Sequence, residues 1–346
     1  MAKSSYKSSG VDIDAGSLLV ELIKPLAKST ADKNVLGSLG GFSGAYALPQ
    51  GKYKNPVLVS AADGVGTKLK VAITAGRLDT VGIDLVAMNV NDLITCGAEP
   101  LFFLDYLATS KLDPIEGAEI IKGVARGCKM AGCALLGGET AEMPGFYKKG
   151  DFDLAGFAVG IVDRNKVIDG KRVKPGDAVI GISSSGLHSN GYSLARKVLL
   201  GRNKHSLADT PPPLKRPLSD ELLEPTKIYV KTVQKLKEEF RIKAMAHITG
   251  GGLLDNIPRV LPQGCAAVLD SSAWPYPPIM ELIQDKGRVD PDEMLRTFNC
   301  GIGFVLVVGK KESGEVLKKL RRMREKAYII GHIREMQKGA ENVSVL

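Results

Sequence analysis

The sequence predicts a mixed α/β protein with two domains, and three observations support this prediction. A chain of 346 residues is long for one hydrophobic core, because cores stop growing beyond about 250–300 residues. Short apolar runs alternate with amphipathic segments of helical periodicity, as in α/β architectures. The pattern restarts after the polar stretch 164–176, which contains the turn sequence Lys174-Pro175-Gly176. We therefore expect residues 1–168 and 174–346 to form the two domains.

In the first half, helices and strands follow one another along the chain. We expect helices over 17–28 and 82–96. A third helix begins at Asp113-Pro114, where an N-cap residue precedes proline at the first helical position and Glu116 follows. The predicted strands cover 56–62, 101–107, 134–137 and 154–162, and residues 37–44 form a glycine-rich loop.

The second half continues the alternation. Its predicted strands cover 177–183, 243–248, 266–270, 303–308 and 327–332. Its predicted helices cover 190–200, 226–240, a segment that follows Gly252, and the basic segment 310–326. The order of the strands within the sheets does not follow from this pattern.

The composition excludes several classes of protein. With 44% hydrophobic and 25% charged residues, it is ordinary for a soluble globular protein. No apolar run approaches the roughly 20 residues of a spanning helix, and the N-terminus lacks the apolar region of a secretory signal. The five cysteines form no C-x2-C pair, which fits a reducing compartment. We expect a cytoplasmic protein, or one from an organelle, without a membrane partner.

The net charge of +9 raises the alternative of nucleic-acid binding. The excess is concentrated in 310–326, which holds eight Lys or Arg and three Glu but no interleaved aromatic residue. This composition favours a solvated helix face, and we expect no nucleic-acid partner. A positive field would also speed the association of anionic metabolites.

A glycine-rich turn follows the apolar run 56–62. Its sequence is Asp63-Gly64-Val65-Gly66-Thr67-Lys68, with a carboxylate at one end and a lysine at the other. Glycine lets backbone N–H groups approach phosphate oxygens, lysine neutralises charge, and a carboxylate binds the Mg²⁺ that bridges phosphates. The Walker A pattern is absent. For this motif alone, a strand-ending turn with a purely structural role is the alternative.

The next predicted helix strengthens the interpretation as a phosphate site. At 100° per residue, Asp84, Asn91 and Thr95 fall within about 20° of one another on an otherwise apolar helix. Asp92 lies about 80° away. Buried carboxylates are costly unless a cation or hydrogen-bond donors compensate for them. A magnesium ion shared with Asp63 would do so, and internal hydrogen bonding is the alternative.

Glu139 adds a further carboxylate, because it follows the apolar and glycine run Leu135-Leu136-Gly137-Gly138. Ligand sites in open α/β sheets lie at the carboxyl ends of strands. Asp63 and Glu139 both sit at such predicted ends. Asp105 also lies among apolar residues, but structural hydrogen bonding explains it at least as well.

Two loops of the second half suit a phosphate monoester. One contains His188, Ser189 and Asn190, and the other is Thr249-Gly250-Gly251-Gly252. Each joins a predicted strand to a predicted helix, where free N–H groups bind anions. Ordinary capping explains each loop alone equally well. His188 and His247 adjoin these loops in a chain that has four histidines.

In this order, the motifs resemble those of the phosphoribosylformylglycinamidine cyclo-ligase family, the aminoimidazole ribonucleotide synthetases. The resemblance runs from about Tyr6 to the C-terminal strand. The segments that carry it are 11–16, 63–68, 82–88, 97–106, 137–144, 188–194 and 249–252. Ser43 departs from the expected pattern, where another glycine would stand.

The resemblance implies a fold and a reaction. The N-terminal domains of a homodimer would join their sheets into a shared β-barrel, with the nucleotide near the interface. The C-terminal domain would be an α/β sandwich that binds the substrate. The implied activity is the ATP-dependent and Mg²⁺-dependent ring closure of formylglycinamidine ribonucleotide to 5-aminoimidazole ribonucleotide in purine biosynthesis.

The resemblance also implies roles for individual residues. The Mg²⁺ ligands would be Asp63, Asp92 and Glu139, with Asp84 and Asn91 completing an acidic pocket. The other ATP contacts would be Lys24, Gly64, Gly66, Thr67, Lys68, Gly137 and Gly138. The ribose phosphate of the substrate would be bound by Thr249, Gly250 and Gly251. The reacting amide would lie near His188, Ser189 and Asn190, with His188 and Lys68 as catalytic candidates.

Two alternatives to this family remain. One is a relative in the same superfamily, such as selenophosphate synthetase or thiamine monophosphate kinase, which resembles it in a carboxylate-lined ATP site. An N-terminal reactive cysteine would favour the first of these, and this chain has no cysteine before Cys96. The other alternative is a non-catalytic protein that binds nucleotides or nucleic acid.

Overall fold

The computed structural model describes residues 6–337 and 339–346, which fold into two compact units. Unit 1 comprises the chain up to Leu93 together with Glu99–Arg164, and unit 2 comprises Ile94–Ala98 together with Asn165–Leu346. Each unit has its own sheet and helices, which confirms the expected mixed α/β chain with two domains. Residues 1–5 and Lys338, which the expected domains include, lie outside the described residues.

Unit 1 contains four α-helices and six strands among the described residues. The helices are α1 (Ile13–Lys28), α2 (Lys68–Ala75), α3 (Val81–Ile94) and α4 (Pro114–Ala131). The strands are β1 (Val35–Leu36), β2 (Ala45–Tyr46), β3 (Pro56–Gly64), β4 (Glu99–Thr109), β5 (Ala134–Glu142) and β6 (Phe152–Asp163). α4 begins as predicted, because the Asp113 carboxylate accepts hydrogen bonds from the N–H groups of Ile115 and Glu116. α2, β1 and β2 are additional to the prediction.

The sheet of unit 1 is open and has the strand order β3-β6-β4-β5. β6 is antiparallel to β3 and β4, whereas β4 and β5 are parallel, so β3, β4 and β5 run in the same direction. Phe103 and Leu107 of β4 are buried on one face of the sheet. On the other face, Leu58 and Phe157 are 57% and 45% exposed.

α3 is the buried helix of unit 1, as its apolar sequence predicts. Every residue from Val81 to Asn91 is buried. A Cβ atom at Gly82 would lie 2.2 Å from Val124 N and 2.4 Å from Ile120 O of α4. Glycine therefore allows the two helix backbones to touch, which buries α3 together with its polar side chains.

Unit 2 contains seven α-helices and six strands among the described residues. The helices are α5 (Tyr192–Leu199), α6 (Leu218–Leu222), α7 (Val230–Glu239), α8 (Gly252–Asn256), α9 (Pro278–Gly287), α10 (Pro291–Thr297) and α11 (Ser313–Arg322). The strands are β7 (Ala178–Ser183), β8 (Ala244–His247), β9 (Cys265–Leu269), β10 (Ile302–Val308), β11 (Ala327–Glu335) and β12 (Val343–Val345). They form one sheet in the order β12-β9-β11-β7-β10-β8, antiparallel except for the β12–β9 pair.

The core of unit 2 follows the predicted hydrophobic pattern. All seven residues of β10 are buried, as expected for a strand inside the sheet. On the basic helix α11, Val316 and Leu320 are buried, whereas Lys318 and Arg321 are exposed. Its basic residues therefore lie on a solvated face, as predicted.

Two further properties concern the cysteines and the helices. All five cysteines are free thiols. Among the helices of the described residues, none combines the length and apolar character that a bilayer crossing requires.

Candidate active site

The junction between β3 and α2 carries the glycine-rich motif of unit 1. Asp63 and Gly64 end β3, and Lys68 begins α2. Gly66 between them has a φ of +73°, which glycine adopts without strain. Gly66 and Thr67 are exposed, and Asp63 is partly exposed. The motif is thus a strand-to-helix turn whose carboxylate and backbone are accessible to a ligand.

Lys68 points into unit 1 rather than into solvent. Its Nζ atom donates a hydrogen bond to Asp84 Oδ1 over 2.9 Å, and both side chains have zero exposure. This ion pair joins the first turn of α2 to the first turn of α3. Asp84 therefore balances the Lys68 charge inside the unit, and the contact between Lys68 and ATP phosphates stays a prediction.

Asn89 connects α3 to the end of β3, and the sequence analysis did not identify it. Its Nδ2 atom donates to Leu85 O over 2.9 Å and to Asp63 O over 3.3 Å. The side chain is completely buried. Asp92 follows Asn89 by about one turn and is partly exposed. Asn89 thereby holds the helix that carries Asp92 against the strand that carries Asp63. In the sequence, the feature that could have identified Asn89 is a single amide side chain on an otherwise apolar helix face.

The strand register separates two of the expected metal ligands. Asp63 pairs with Gly156, Gly156 with Asp105, and Asp105 with Gly138, so these four residues form one row across the sheet. Glu139 belongs to the next row, opposite Tyr106. Asp63 and Glu139 thus lie on opposite edge strands, three strand spacings or about 14 Å apart.

This separation bears on the expected Mg²⁺ ligands, which stay a prediction. Within the described part of the chain, no three or more His, Cys, Asp and Glu side chains are grouped so that they could hold a metal ion. Within one chain, the register thus keeps Glu139 apart from Asp63. Glu139 is also not at a strand end, because β5 continues to Glu142. We expected the strand to end at Gly137 and Gly138, but both glycines pair with residues of β4 within the sheet.

Two neighbouring cavities lie beside β5. The larger, here called the β5 cavity, has a volume of about 890 Å³ and is lined by loop 38–44, Asp105 and Gly137 to Thr140. The smaller cavity, of about 630 Å³, includes Lys24, whose Nζ atom donates to Glu21 Oε1 over 2.5 Å. Loop 38–44 borders both cavities. The structure therefore places Gly137, Gly138 and Glu139 on one cavity and Lys24 on the neighbouring cavity.

Asp105 has an unusual protonation equilibrium. Burial raises its pKa to about 7, because the charged carboxylate loses its hydration. Its pKa in the unfolded chain is near 3.8. The folded state consequently holds the Asp105 proton over a pH range in which the unfolded chain has already released it.

We predict that this difference makes stability depend on pH. Because the pKa of Asp105 is higher in the folded state, its protonation stabilises the folded state, and this stabilisation is complete below pH 3.8. The stabilisation is lost as the pH rises towards 7. Asp105→Asn removes the titration, so the variant should gain about 2–3 kcal/mol relative to wild type between pH 5 and pH 8. Urea unfolding at both pH values measures the gain. Parallel stability curves for the two proteins would contradict the prediction.

His188 lies in the loop between β7 and α5 of unit 2. It is 1% exposed and has a φ of +63°. Its Nε2 atom accepts a hydrogen bond from the Ser185 N–H over 3.2 Å. A Cβ atom at Gly303 would lie 2.4 Å from His188 Cε1, so the ring is tightly enclosed. The imidazole supports the loop, and its proposed proton transfer stays a prediction.

The two candidate anion loops of unit 2 come together. A Cβ atom at Gly250 would lie 3.6 Å from Asn190 Oδ1. The Nδ2 atom of Asn190 is buried and has no hydrogen-bond partner among the residues that the structure describes. Ser189 Oγ lies 2.9 Å from Thr226 Oγ1, which anchors the first loop. Asn190 therefore carries a donor that a ligand at this junction would satisfy.

Asn256 shapes the second loop, and the sequence analysis missed it. Its Nδ2 atom donates to the carbonyls of Gly250 and Gly252 over 3.1 and 2.9 Å. Within the described ranges, the N–H groups of Thr249, Gly250 and Gly251 donate to no backbone carbonyl. Asn256 thus binds the carbonyl side of the loop, while these amides stay available to an anion. In the sequence, the feature that could have identified Asn256 is a single amide side chain in an apolar helix. Asn256 is the last residue of α8.

Comparisons with known proteins cover almost the whole chain. Residues 46–162 match the N-terminal domain of AIR synthase related proteins, and residues 174–344 match their C-terminal domain. The phosphoribosylformylglycinamidine cyclo-ligase of Geotalea daltonii is 59% identical over 345 residues, which is 100% of this chain and 99% of that protein. The enzyme of the same name from Myxococcus xanthus is 59% identical over 330 residues, or 95% of this chain and 96% of that one.

Solved structures share the fold at low identity. Thiamine-monophosphate kinase from Stenotrophomonas maltophilia matches with a TM-score of 0.67 and 18% identity, over 94% of this chain and 95% of that chain. Hydrogenase maturation protein HypE in complex with ATP also matches with a TM-score of 0.67 and 18% identity, over 94% and 90% of the two chains. At this identity, the likeness establishes the fold only.

Proposed function

The chain belongs to the phosphoribosylformylglycinamidine cyclo-ligase family, and from this premise we propose that it closes the imidazole ring of 5-aminoimidazole ribonucleotide in purine biosynthesis. The substrates are ATP and formylglycinamidine ribonucleotide, and the other products are ADP and phosphate. The observation that carries the proposal is 59% identity to a curated cyclo-ligase along the full chain. Thiamine-monophosphate kinase, the superfamily alternative, shares the fold at only 18% identity.

The reaction has to remove an amide oxygen, which is a poor leaving group. Transfer of the γ-phosphoryl group of ATP to that oxygen breaks the bond between phosphorus and the ADP oxygen. The neighbouring nitrogen of the substrate then attacks the activated carbon, and the oxygen leaves as part of inorganic phosphate. Because phosphoryl transfer requires little covalent chemistry from the protein, catalysis consists mainly of positioning and charge stabilisation.

The turn after β3 is the proposed triphosphate site. Its supporting features are the exposed residues Gly66 and Thr67 and the partly exposed Asp63 carboxylate, which accepts a hydrogen bond from the Gly64 N–H over 2.7 Å. Asp63 and Asp92 are partly exposed, and their oxygen donors fit Mg²⁺, which in phosphate sites uses one or two carboxylates plus phosphate oxygens. When bound, Mg²⁺ would neutralise charge on the phosphates.

The junction of the two unit 2 loops is the proposed substrate site. The N–H groups of Thr249, Gly250 and Gly251 are the proposed ligands of the ribose phosphate, supported by the way Asn256 holds their carbonyls. Asn190, with its buried amide donor, is proposed to contact the reacting amide together with Ser189 and His188. The enzyme is further proposed to work in the cytoplasm.

A homodimer is part of the proposal. The apolar side chains Leu58 and Phe157 on the open sheet face support it, because a second copy would bury them. The edge strands β3 and β5 also leave hydrogen-bonding groups unpaired within the sheet. A two-fold arrangement that places β3 beside β5 of the other copy would bring Glu139 near the triphosphate site.

A coupled assay of ADP release tests the function. We expect the purified protein with ATP and Mg²⁺ to release ADP only when formylglycinamidine ribonucleotide is added, with 5-aminoimidazole ribonucleotide formed in equal amount. Thiamine monophosphate is the control substrate and should leave ADP release at background. ADP release without added ribonucleotide, or with thiamine monophosphate, would refute the assignment.

A further inference from the structure

Asp105 is a buried carboxyl group that has no role in the proposed reaction. It is 8% exposed and lines the β5 cavity. Its side chain accepts a hydrogen bond from its own backbone N–H and, within the part of the chain that the structure describes, from no other residue. We propose that Asp105 recognises the base of ATP by accepting a hydrogen bond from the exocyclic amino group of adenine. This inference rests on the proposed function.

Gly138 gives the carboxyl group of Asp105 its access to the cavity. A Cβ atom at Gly138 would lie 2.4 Å from Asp105 Oδ1 and 2.8 Å from its Cγ. Any side chain at position 138 would therefore occupy the space of the carboxyl group. Because glycine stands there, the carboxyl group extends from β4 over the edge strand β5.

The β5 cavity suits a purine base better than a triphosphate. No Lys or Arg is among its lining residues in the described chain. Its walls include Leu19 and Ile23 of α1 and Leu136 of β5, and apolar walls with few polar groups are typical of ligand pockets. Loop 38–44 also carries Phe42, whose ring is fully exposed. An exposed aromatic ring at a cavity of this kind is available to stack on a base.

The chemistry of Asp105 favours an amino group as its ligand. A carboxyl oxygen accepts a hydrogen bond in both protonation states, and the 6-amino group of adenine donates one. A purine without that group would leave the buried acceptor unpaired, which costs affinity. The carboxyl group at this position thus distinguishes bases by their substituent at carbon 6.

The experiment compares two nucleotides in the same protein. Equilibrium binding of ATP and of purine riboside triphosphate, which lacks the 6-amino group, is measured with Mg²⁺ by calorimetry. We expect wild type to bind ATP about 10- to 100-fold more tightly. Asp105→Leu should reduce this preference to about twofold or less. Asp105→Asn, whose carboxamide oxygen still accepts, should retain most of it.

Using the ratio of two affinities separates recognition from folding, because a loss of folded protein affects both nucleotides equally. Asp153→Asn is the matched control, since Asp153 is an exposed carboxylate on the adjacent strand β6, and its preference should equal that of wild type. The inference would be overturned if Asp105→Leu kept the wild-type preference for ATP over purine riboside triphosphate, or if wild type showed no such preference. Either result would leave the proposed function intact. Failure of wild type to bind either nucleotide would overturn both.

Discussion

Asp84→Leu is expected to lower the free energy of unfolding by about 3–5 kcal/mol. The substitution removes a carboxylate that forms an ion pair with the Lys68 ammonium, and both side chains have zero exposure in the wild type. A buried charge without its counter-charge cannot recover its hydration, so the folded state bears the cost. Urea unfolding followed by circular dichroism measures the change.

The double variant Lys68→Met/Asp84→Leu is the control. It removes both charges and keeps apolar volume, so we expect it to be within about 1–2 kcal/mol of wild type. If Lys68 also assists phosphoryl transfer, this folded double variant should still lose at least about 100-fold in kcat. Wild-type kcat in the double variant would restrict the ion pair to a structural role. Unchanged stability of Asp84→Leu would contradict the energetic argument itself.

Asp63→Asn and Glu139→Gln should each lose activity by at least about 100-fold when expressed alone, and a mixture refolded together should recover about a quarter of wild-type activity. The expectation arises because the two carboxylates lie on opposite edge strands, β3 and β5, of one sheet. If the partner copy supplies Glu139, each mixed dimer contains one site with both carboxylates intact. Half of the dimers are mixed, and half of their sites are active.

Asp63→Asn mixed with Asp92→Asn is the matched control. Asn89 holds the α3 segment that carries Asp92 near Asp63 of the same chain, so these two carboxylates belong to one copy. Their mixture should therefore recover no activity. Recovery in the control, or its absence in the Asp63 and Glu139 mixture, would show that the sites are not divided between copies in this way. ADP release provides the readout in both cases.

Local sequence rules were sufficient for several parts of the fold. Asp113 caps α4 as its position before proline predicts. The apolar periodicity of α3 predicted a buried helix, and α3 is buried from Val81 to Asn91. α2 was not predicted for two reasons. Its eight residues are too few to show a clear helical period, and they follow a motif that was interpreted as a turn.

The sequence suggested residues for the candidate site, but it did not show which of them lie together. The motif with Asp63 and the loop with Thr249 were identified from residue types and spacing. Asn89 and Asn256 were missed, because each acts through backbone carbonyls that are close only in the folded chain. Lys68 was expected at phosphates, which stays a prediction, and its hydrogen bond to Asp84, 16 residues later, could not be predicted from the sequence.

By itself, the sequence determined the two-domain α/β class, most element positions and the family, since these depend on local periodicity and on motifs within short segments. The tertiary structure decided which side chains meet. The Asp105 carboxyl group lies beside Gly138, and Lys68 forms an ion pair with Asp84. Asp63 and Glu139 lie on different strands of the sheet. These relations depend on strand order and register, which are set by packing between residues distant in the chain, and no local pattern encodes them.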